Sequence, residues 1–331
     1  MFVLSRFSGE ARFLKAKFLR GANFNSAIFS ARADFFQAQF SSFADFSSVK
    51  FLNEVHFSEA VEESEEANSP GSLKRVFNGE TLFTYAIFEQ PNKTMFDVSD
   101  LSQVSFAGSD ISKVTFTDRV KWGGTDGLKV IEEEWIEKQS KQISLDLVLY
   151  VYRRLRENYE FKLKFDEAGK FFIKEMELKR SYRTVPLRDK SGSLKVIKNN
   201  RLRRHFSLTG LYYHFSTYGE SIVKPVIIGA ITVGLSTLFW SMQASPTLQP
   251  TFSTNAHTPY SNFTGLYNIT DHTHLLKAFE RSLGDFLPLL PSASDIKIGA
   301  IDYIIKIVGG ALTFGLLIIA LRRKFERKYT R

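Results

Sequence analysis

Phenylalanine recurs with a fixed beat along the first part of the chain. Phe7, Phe13, Phe18, Phe24, Phe29, Phe35, Phe40, Phe46, Phe51 and Phe57 are separated alternately by six and five residues. Two positions ahead of most of them sits a small residue: Ala11, Ala16, Ala22, Ala27, Ala33, Ala38, Ala44, Val49 and Val55. Polar residues fill the corners between. A period of eleven also suits a right-handed coiled coil, but the angles exclude it. With Phe7 at zero and about 100° per residue, Ala11 falls near ~40°, Phe13 near ~240° and Ala16 near ~180°. The apolar residues scatter around the cylinder and form no stripe. On an extended chain Ala11 and Phe13 point to one side, and Ala16 and Phe18 do so one bend later. Short extended faces joined by polar corners are therefore predicted, stacked because no single face can bury itself.

The units Ala22-Asn23-Phe24, Ala33-Asp34-Phe35 and Ala44-Asp45-Phe46 resemble the pentapeptide-repeat family. That resemblance implies a right-handed quadrilateral β-helix with Phe13, Phe18, Phe24, Phe29, Phe35, Phe40, Phe46 and Phe51 stacked inside as its core. The beat returns at Phe96, Leu101, Phe106, Ile111 and Phe116, with Phe77, Phe83 and Phe88 as further members. The resemblance covers residues 2–118. About four to five coils are expected, roughly 20 Å tall at ~4.8 Å per coil. Residues 59–72 interrupt the beat with Glu62, Glu63, Glu65 and Glu66 beside Asn68-Ser69-Pro70-Gly71. This is either a solvated insertion or a partner-docking loop. No capping residues precede the first repeat, so its first face is either trimmed or covered by another part of the chain or another chain.

Residues 131–182 carry two apolar stripes. Leu147, Tyr150, Val151, Leu155 and Tyr159 form one, and Ala168, Phe171, Phe172 and Met176 the other. They predict a helical hairpin turning over 160–166, either a plain connector or a peptide-binding groove. Residues 186–200 read as a basic linker. Phe206, Leu208, Leu211, Tyr212, Phe215 and Tyr218 predict an interfacial amphipathic helix.

Two apolar runs follow. Val226–Met242 is seventeen residues without a charge, and a second run spans about 298–321. With flanks, both approach the roughly 20 residues of a membrane span. Asp302 and Lys306 inside the second form an i,i+4 pair, read either as an interfacial anchor or as lining of a polar pathway. The segment 183–205 and the C-terminal tail are rich in Lys and Arg, whereas 245–295 holds only Lys277 and Arg281. The positive-inside rule then puts both termini in the cytoplasm of a multi-pass cell-membrane protein. Asn262 and Asn268 open glycosylation sequons in the connecting stretch. Ser282, Gly284, Asp285 and Pro288 resemble a degenerate two-transmembrane potassium-channel pore loop. The Thr-x-Gly-Tyr-Gly ladder is absent, so potassium selectivity is not implied.

The expected whole is multidomain. A pentapeptide-repeat solenoid (1–122) precedes an α-helical hairpin (123–185), a basic linker (186–205) and a segment 206–331. That last segment holds the interfacial helix and two transmembrane α-helices, about 223–243 and 298–321, around an outer loop 244–297.

Charge and composition change this picture little. The 331 residues include no cysteine, which excludes disulfides and thiolate metal sites. The formal charge is +9. Residues 1–118 carry 11 Lys/Arg against 15 Asp/Glu, a net of −4, so the basic excess lies in the remainder. A basic solenoid would suggest nucleic acid; this one is not basic. No secretory signal peptide is evident. No catalytic constellation, cofactor motif or convincing metal site stands out; His257, His272 and His274 are too loosely spaced. The expected function is a non-enzymatic, membrane-anchored scaffold with the lipid bilayer, further copies of itself and a cytoplasmic protein as partners. The alternative is an oligomeric pore, tetrameric if channel-like.

Overall fold

Aspartate or asparagine ahead of some of the inward residues closes a corner. The computed structural model describes residues 1–59, 75–186, 194–243, 272–286 and 310–329, in two compact units, Met1–Gly210 and Leu211–Arg331. In the first unit Asn23, Asp34, Asp45, Asp100 and Asp110 each accept a hydrogen bond from the backbone N–H two residues on, at 2.8–3.0 Å. These short side chains replace a backbone partner at the bend. A second kind of corner is left-handed: Leu4, Lys15, Ser26, Gln37, Ser48 and Tyr85 hold φ of 55–57°. Gly108, at φ 74°, continues the series. The Tyr85 ring lies where a Cβ on Gly108 would stand, so only glycine fits there.

Between corners the strands are short, mostly two residues. They pair in parallel with the strand one circuit later. Arg6–Phe7, Ile28–Phe29, Lys50–Phe51 and Ile87–Phe88 form one sheet. Ala11–Arg12, Ala33–Phe36, Val55–Ser58, Thr94–Asp97 and Thr115–Phe116 form a second. Ala22–Asn23, Ala44–Asp45, Thr81–Leu82 and Val104–Ser105 form a third, and Lys17–Phe18 with Gln39–Phe40 a fourth. Early rungs lie 22 residues apart, as in Phe7↔Phe29 and Ala22↔Ala44. The step rises to 37 at Ala44↔Thr81 and Phe51↔Phe88, across residues 60–74, which lie outside the described residues.

The rings stack in four columns. Phe13, Phe35, Phe57, Phe96 and Phe116 run at centroid spacings of 4.9, 4.6, 5.0 and 5.6 Å. Phe2, Phe24, Phe46, Phe83 and Phe106 form the next, at 4.8, 4.9, 4.8 and 5.4 Å. Phe7, Phe29, Phe51 and Phe88 make the third, and Phe18, Phe40 and Phe77 the fourth. Between columns the rings meet edge to face, as at Phe24–Phe35 (6.1 Å, 88°), an arrangement that suits the aromatic quadrupole. Phe24, Phe29, Phe35, Phe40, Phe46, Phe51 and Phe106 are buried, as is Phe116; Phe13 and Phe18 of the first layer are half-buried.

The expected closed quadrilateral β-helix is corrected here. The parallel strands form several separate sheets. Two-residue strands bond only to the rungs above and below, and the side-chain-capped and left-handed corners carry no ladder around the bend.

Helices α1 (Ile131–Lys138), α2 (Leu145–Phe161) and α3 (Phe165–Ser181) follow the ladders. Ser144 caps α2, accepting from the Leu147 N–H at 3.3 Å. The buried line of α2 is Leu145, Val148, Leu149, Val151, Tyr152, Leu155 and Asn158. It is rotated from the predicted stripe: Leu147, Tyr150 and Tyr159 are only half-buried. An antiparallel hairpin, Tyr182–Pro186 with Leu194–Lys198, leads to α4 (Arg201–Phe206). Helix α5 (Leu208–Ser216) runs across the division between the units.

The second unit holds α6 (Val223–Gln243), α7 (His272–Phe286) and α8 (Leu312–Tyr329). No helix among the described residues is long and apolar enough to cross a membrane. The two expected transmembrane helices, and with them the multi-pass membrane location with cytoplasmic termini, are therefore corrected. Of the second expected span, residues 298–309 lie outside the described residues, and Arg322, Arg323 and Lys324 follow Leu321 within α8. Helix α6 is diluted by Thr232, Ser236, Thr237 and Ser241, whose hydroxyls bond back to carbonyls of the preceding turn at 2.8–3.0 Å. The Asp302–Lys306 pair lies outside the described residues.

Candidate functional site

Because the rings fix one rung above the next, outward residues fall into rows. In the second sheet Arg12, Asp34, His56, Met95 and Thr115 stand in register. Arg32, beside this row, reaches Asp34 at 3.4 Å, Glu54 at 3.3 Å and Nδ1 of His56 at 3.3 Å. Arg6, Ile28, Lys50 and Ile87 form a row on the first sheet, and Asn23, Asp45 and Leu82 one on the third. Successive side chains along a row are about 4.8 Å apart. Such rows offer a partner fixed, evenly spaced polar and apolar contacts.

The far end of the ladders is sealed by side chains of the helices. Trp122 packs on Phe106 (6.0 Å) and Phe116 (5.4 Å), with Phe171 of α3 behind it (6.4 Å). The Asn158 amide donates to the carbonyls of Ile111 and Val114, both at 2.7 Å. The Lys162 ammonium donates to Phe116 O at 3.2 Å. Oε1 of Glu132 accepts from the Ser105 hydroxyl and the Phe106 N–H, both at 2.8 Å. These groups stand in for the backbone of a further rung. Burial pushes the Glu132 carboxyl up, against the backbone and Ser105 hydrogen bonds that draw it down. Burial also raises the neighbouring Glu133 and moves Tyr152, which hydrogen-bonds Glu133, well above its ordinary value. Lys162 is lowered to about 8 by burial and then by the nearby Lys164. In α3 the buried Glu175 carboxylate is met by Arg156 (2.9 Å), Lys179 (2.7 Å) and Arg153 (3.5 Å). Nothing in the charge pattern distinguishes Glu132 from Glu133, Glu134 and Glu137 beside it. Asn158 did leave a signal: it falls three residues after Leu155, on the buried side of α2.

In the second unit the residues expected to form a pore loop are not brought together as one. Ser282, Gly284 and Asp285 lie within α7, and the Ser282 hydroxyl bonds to Ala278 O at 2.8 Å. Pro288 lies outside the described residues. Helices α6, α7 and α8 surround an apolar cleft of 520 Å³ lined by residues such as Val226, Val233, Phe279, Phe286 and Leu317. The small residues Ala230 and Gly234 border this cleft, and a Cβ on Gly234 or Gly315 would meet nothing within 4 Å. Close approach occurs instead at Gly229, where a Cβ would stand 2.8 Å from the Phe286 ring. Lys224, in the first turn of α6, donates to Tyr213 O at 3.4 Å and lies over the Tyr213 ring at 4.5 Å.

Among the described residues no three His, Cys, Asp or Glu side chains converge as metal ligands. His272 and His274 begin α7, and His257 lies outside the described residues. No family model matches the chain, and neither a curated protein nor a solved structure matches it.

Proposed function

We propose that the chain is a non-enzymatic interaction scaffold whose ladders hold rows of outward side chains for a protein partner. One observation carries this reading: the registered row Arg12, Asp34, His56, Met95 and Thr115, fixed from within by the column Phe13, Phe35, Phe57, Phe96 and Phe116. A surface locked this way loses little conformational entropy on binding, which favours recognition by a flat, repetitive face. The likeness of the repeat unit to pentapeptide-repeat proteins supports the same role. The pore alternative rests on two spans, and no helix among the described residues is long and apolar enough to supply one.

The test is proximity labelling with the parent chain and with an Arg12→Glu/His56→Glu variant of equal thermal stability. The reading expects a protein labelled by the parent and lost from the variant, then reconstituted with purified components. An identical labelled set from both chains contradicts it.

A further inference from the structure

The short helix α4 projects its apolar side chains into solvent. Leu202 is 73% exposed, Phe206 74% and the following Leu208 87%. About 100° per residue places Leu202 and Phe206 within ~40° of each other. Arg201 and Arg203 then flank them, about 100° to either side of Leu202. Both arginines are exposed, whereas Arg204, about 160° from Leu202 on the far side of the helix, is half-buried. The orientation is fixed: Arg180 of α3 donates to Arg204 O at 3.3 Å, and Gly210 packs so closely that a Cβ would stand 2.4 Å from that oxygen. Lys195 and Lys198 of the hairpin, both exposed, precede α4 in the chain. No acidic residue occurs between Leu194 and Gly210.

We propose that this face, Leu202 and Phe206 framed by Arg201 and Arg203, docks peripherally on an anionic phospholipid surface. Charge complementarity selects the partner: cations frame the apolar side chains, so the cations meet phosphate and carboxylate headgroups while the side chains enter the acyl boundary. Leu202 has no ring for base stacking, and this disfavours single-stranded nucleic acid. The docking lies on the surface and crosses nothing. It is independent of the scaffold reading, because it uses none of the ladder rows.

The test is co-sedimentation of the full chain with phosphatidylcholine vesicles, with and without about one third phosphatidylserine. Binding is expected to the anionic vesicles and to weaken as salt rises from ~0.1 to ~0.5 M. Leu202→Ser/Phe206→Ser and Arg201→Gln/Arg203→Gln are each expected to weaken it about tenfold or more. A Phe206→Cys chain, with its single thiol carrying an environment-sensitive dye, is expected to shift to the blue on anionic vesicles. That readout stands even where a double variant folds poorly. Equal binding to neutral vesicles, unchanged binding by folded double variants, or no dye shift overturns the proposal. Displacement from the vesicles by a duplex oligonucleotide assigns the face to nucleic acid and overturns it too. So does a lipid-free dimer that the Leu202→Ser/Phe206→Ser variant abolishes.

Discussion

The Phe35 ring lies 4.6 Å from the Phe57 ring and 5° from parallel, although 22 residues separate them. Both are fully buried, and each holds one rung of the second sheet in register with the next. Removing a ring from the middle of a column leaves a cavity that neighbours on both sides cannot fill. Phe35→Ala is expected to cost about 3–5 kcal/mol. Phe13→Ala, in the half-buried first layer, is expected to cost about 1–2 kcal/mol. Chemical denaturation of the two variants checks the order, and equal losses would contradict it.

Asn158 closes the other end of the ladders with two hydrogen bonds to the carbonyls of Ile111 and Val114. Asn158→Leu keeps the branching at Cγ but leaves those acceptors unpaired, at a cost of about 2–3 kcal/mol. Hydrogen exchange is expected to speed up at the last rung, around Val104 and Thr115, while rungs near Ala33 stay protected.

Glu132 predicts a pH dependence. Its folded value is raised by burial, so the folded state holds the proton more tightly than the unfolded chain. The sign follows: the stabilising contribution is full below the unfolded value and is lost as pH rises through the folded value. Glu132→Gln keeps an acceptor for Ser105 and Phe106 without the charge. It is expected to raise stability at pH 7 by about 1 kcal/mol, with the difference vanishing in acid. Unfolding curves of parent and variant from pH 4 to pH 8, both pH values being about the span of ordinary carboxylate titration and beyond, check this. Glu132→Ala is expected to cost about 2–3 kcal/mol, because the Phe106 N–H and the Ser105 hydroxyl lose their acceptor.

The left-handed corners make a further prediction. Ser48 is exposed with φ 56°, a conformation that costs an L-residue roughly 1–2 kcal/mol. Ser48→Gly is expected to raise stability by about 0.5 kcal/mol after its greater unfolded-state entropy is counted. Ser48→Val is expected to lower it by about 1 kcal/mol. Thermal unfolding of the two variants measures both shifts.

The eleven-residue beat made the inward residues of the first unit legible, and Asp34 and Asp45 before the rings marked corners. Periodicity reports which side chains face in. It does not report whether ladders continue around a bend, so the separate sheets were not readable from it. The four columns follow from alternating steps of five and six, which send consecutive rings to different sides. Glu132 was hidden because a carboxylate in the first turn of a charged helix ordinarily faces water. The spans misled for a different reason. Apolar counting scores length and charge, and takes no account of the hydroxyls of Thr232, Ser236, Thr237 and Ser241 within α6. Phe206 of α4 belongs to the amphipathic stripe that the sequence predicts, whereas Leu202 lies inside the stretch 186–205 that reads as basic linker, among Arg201, Arg203 and Arg204.

Register between rungs is tested most directly by paired cysteines, since the chain has none of its own. Asp34 and His56 are Cα partners on neighbouring strands, and Met95 is one rung beyond His56. Neighbouring strands lie about 4.8 Å apart, within reach of a disulfide. An Asp34→Cys/His56→Cys chain is expected to cross-link readily under mild oxidation with its fold intact. An Asp34→Cys/Met95→Cys chain, spanning two rungs, is expected not to. Failure of the first pair, or equal cross-linking of both, would contradict the ladder on which the scaffold depends.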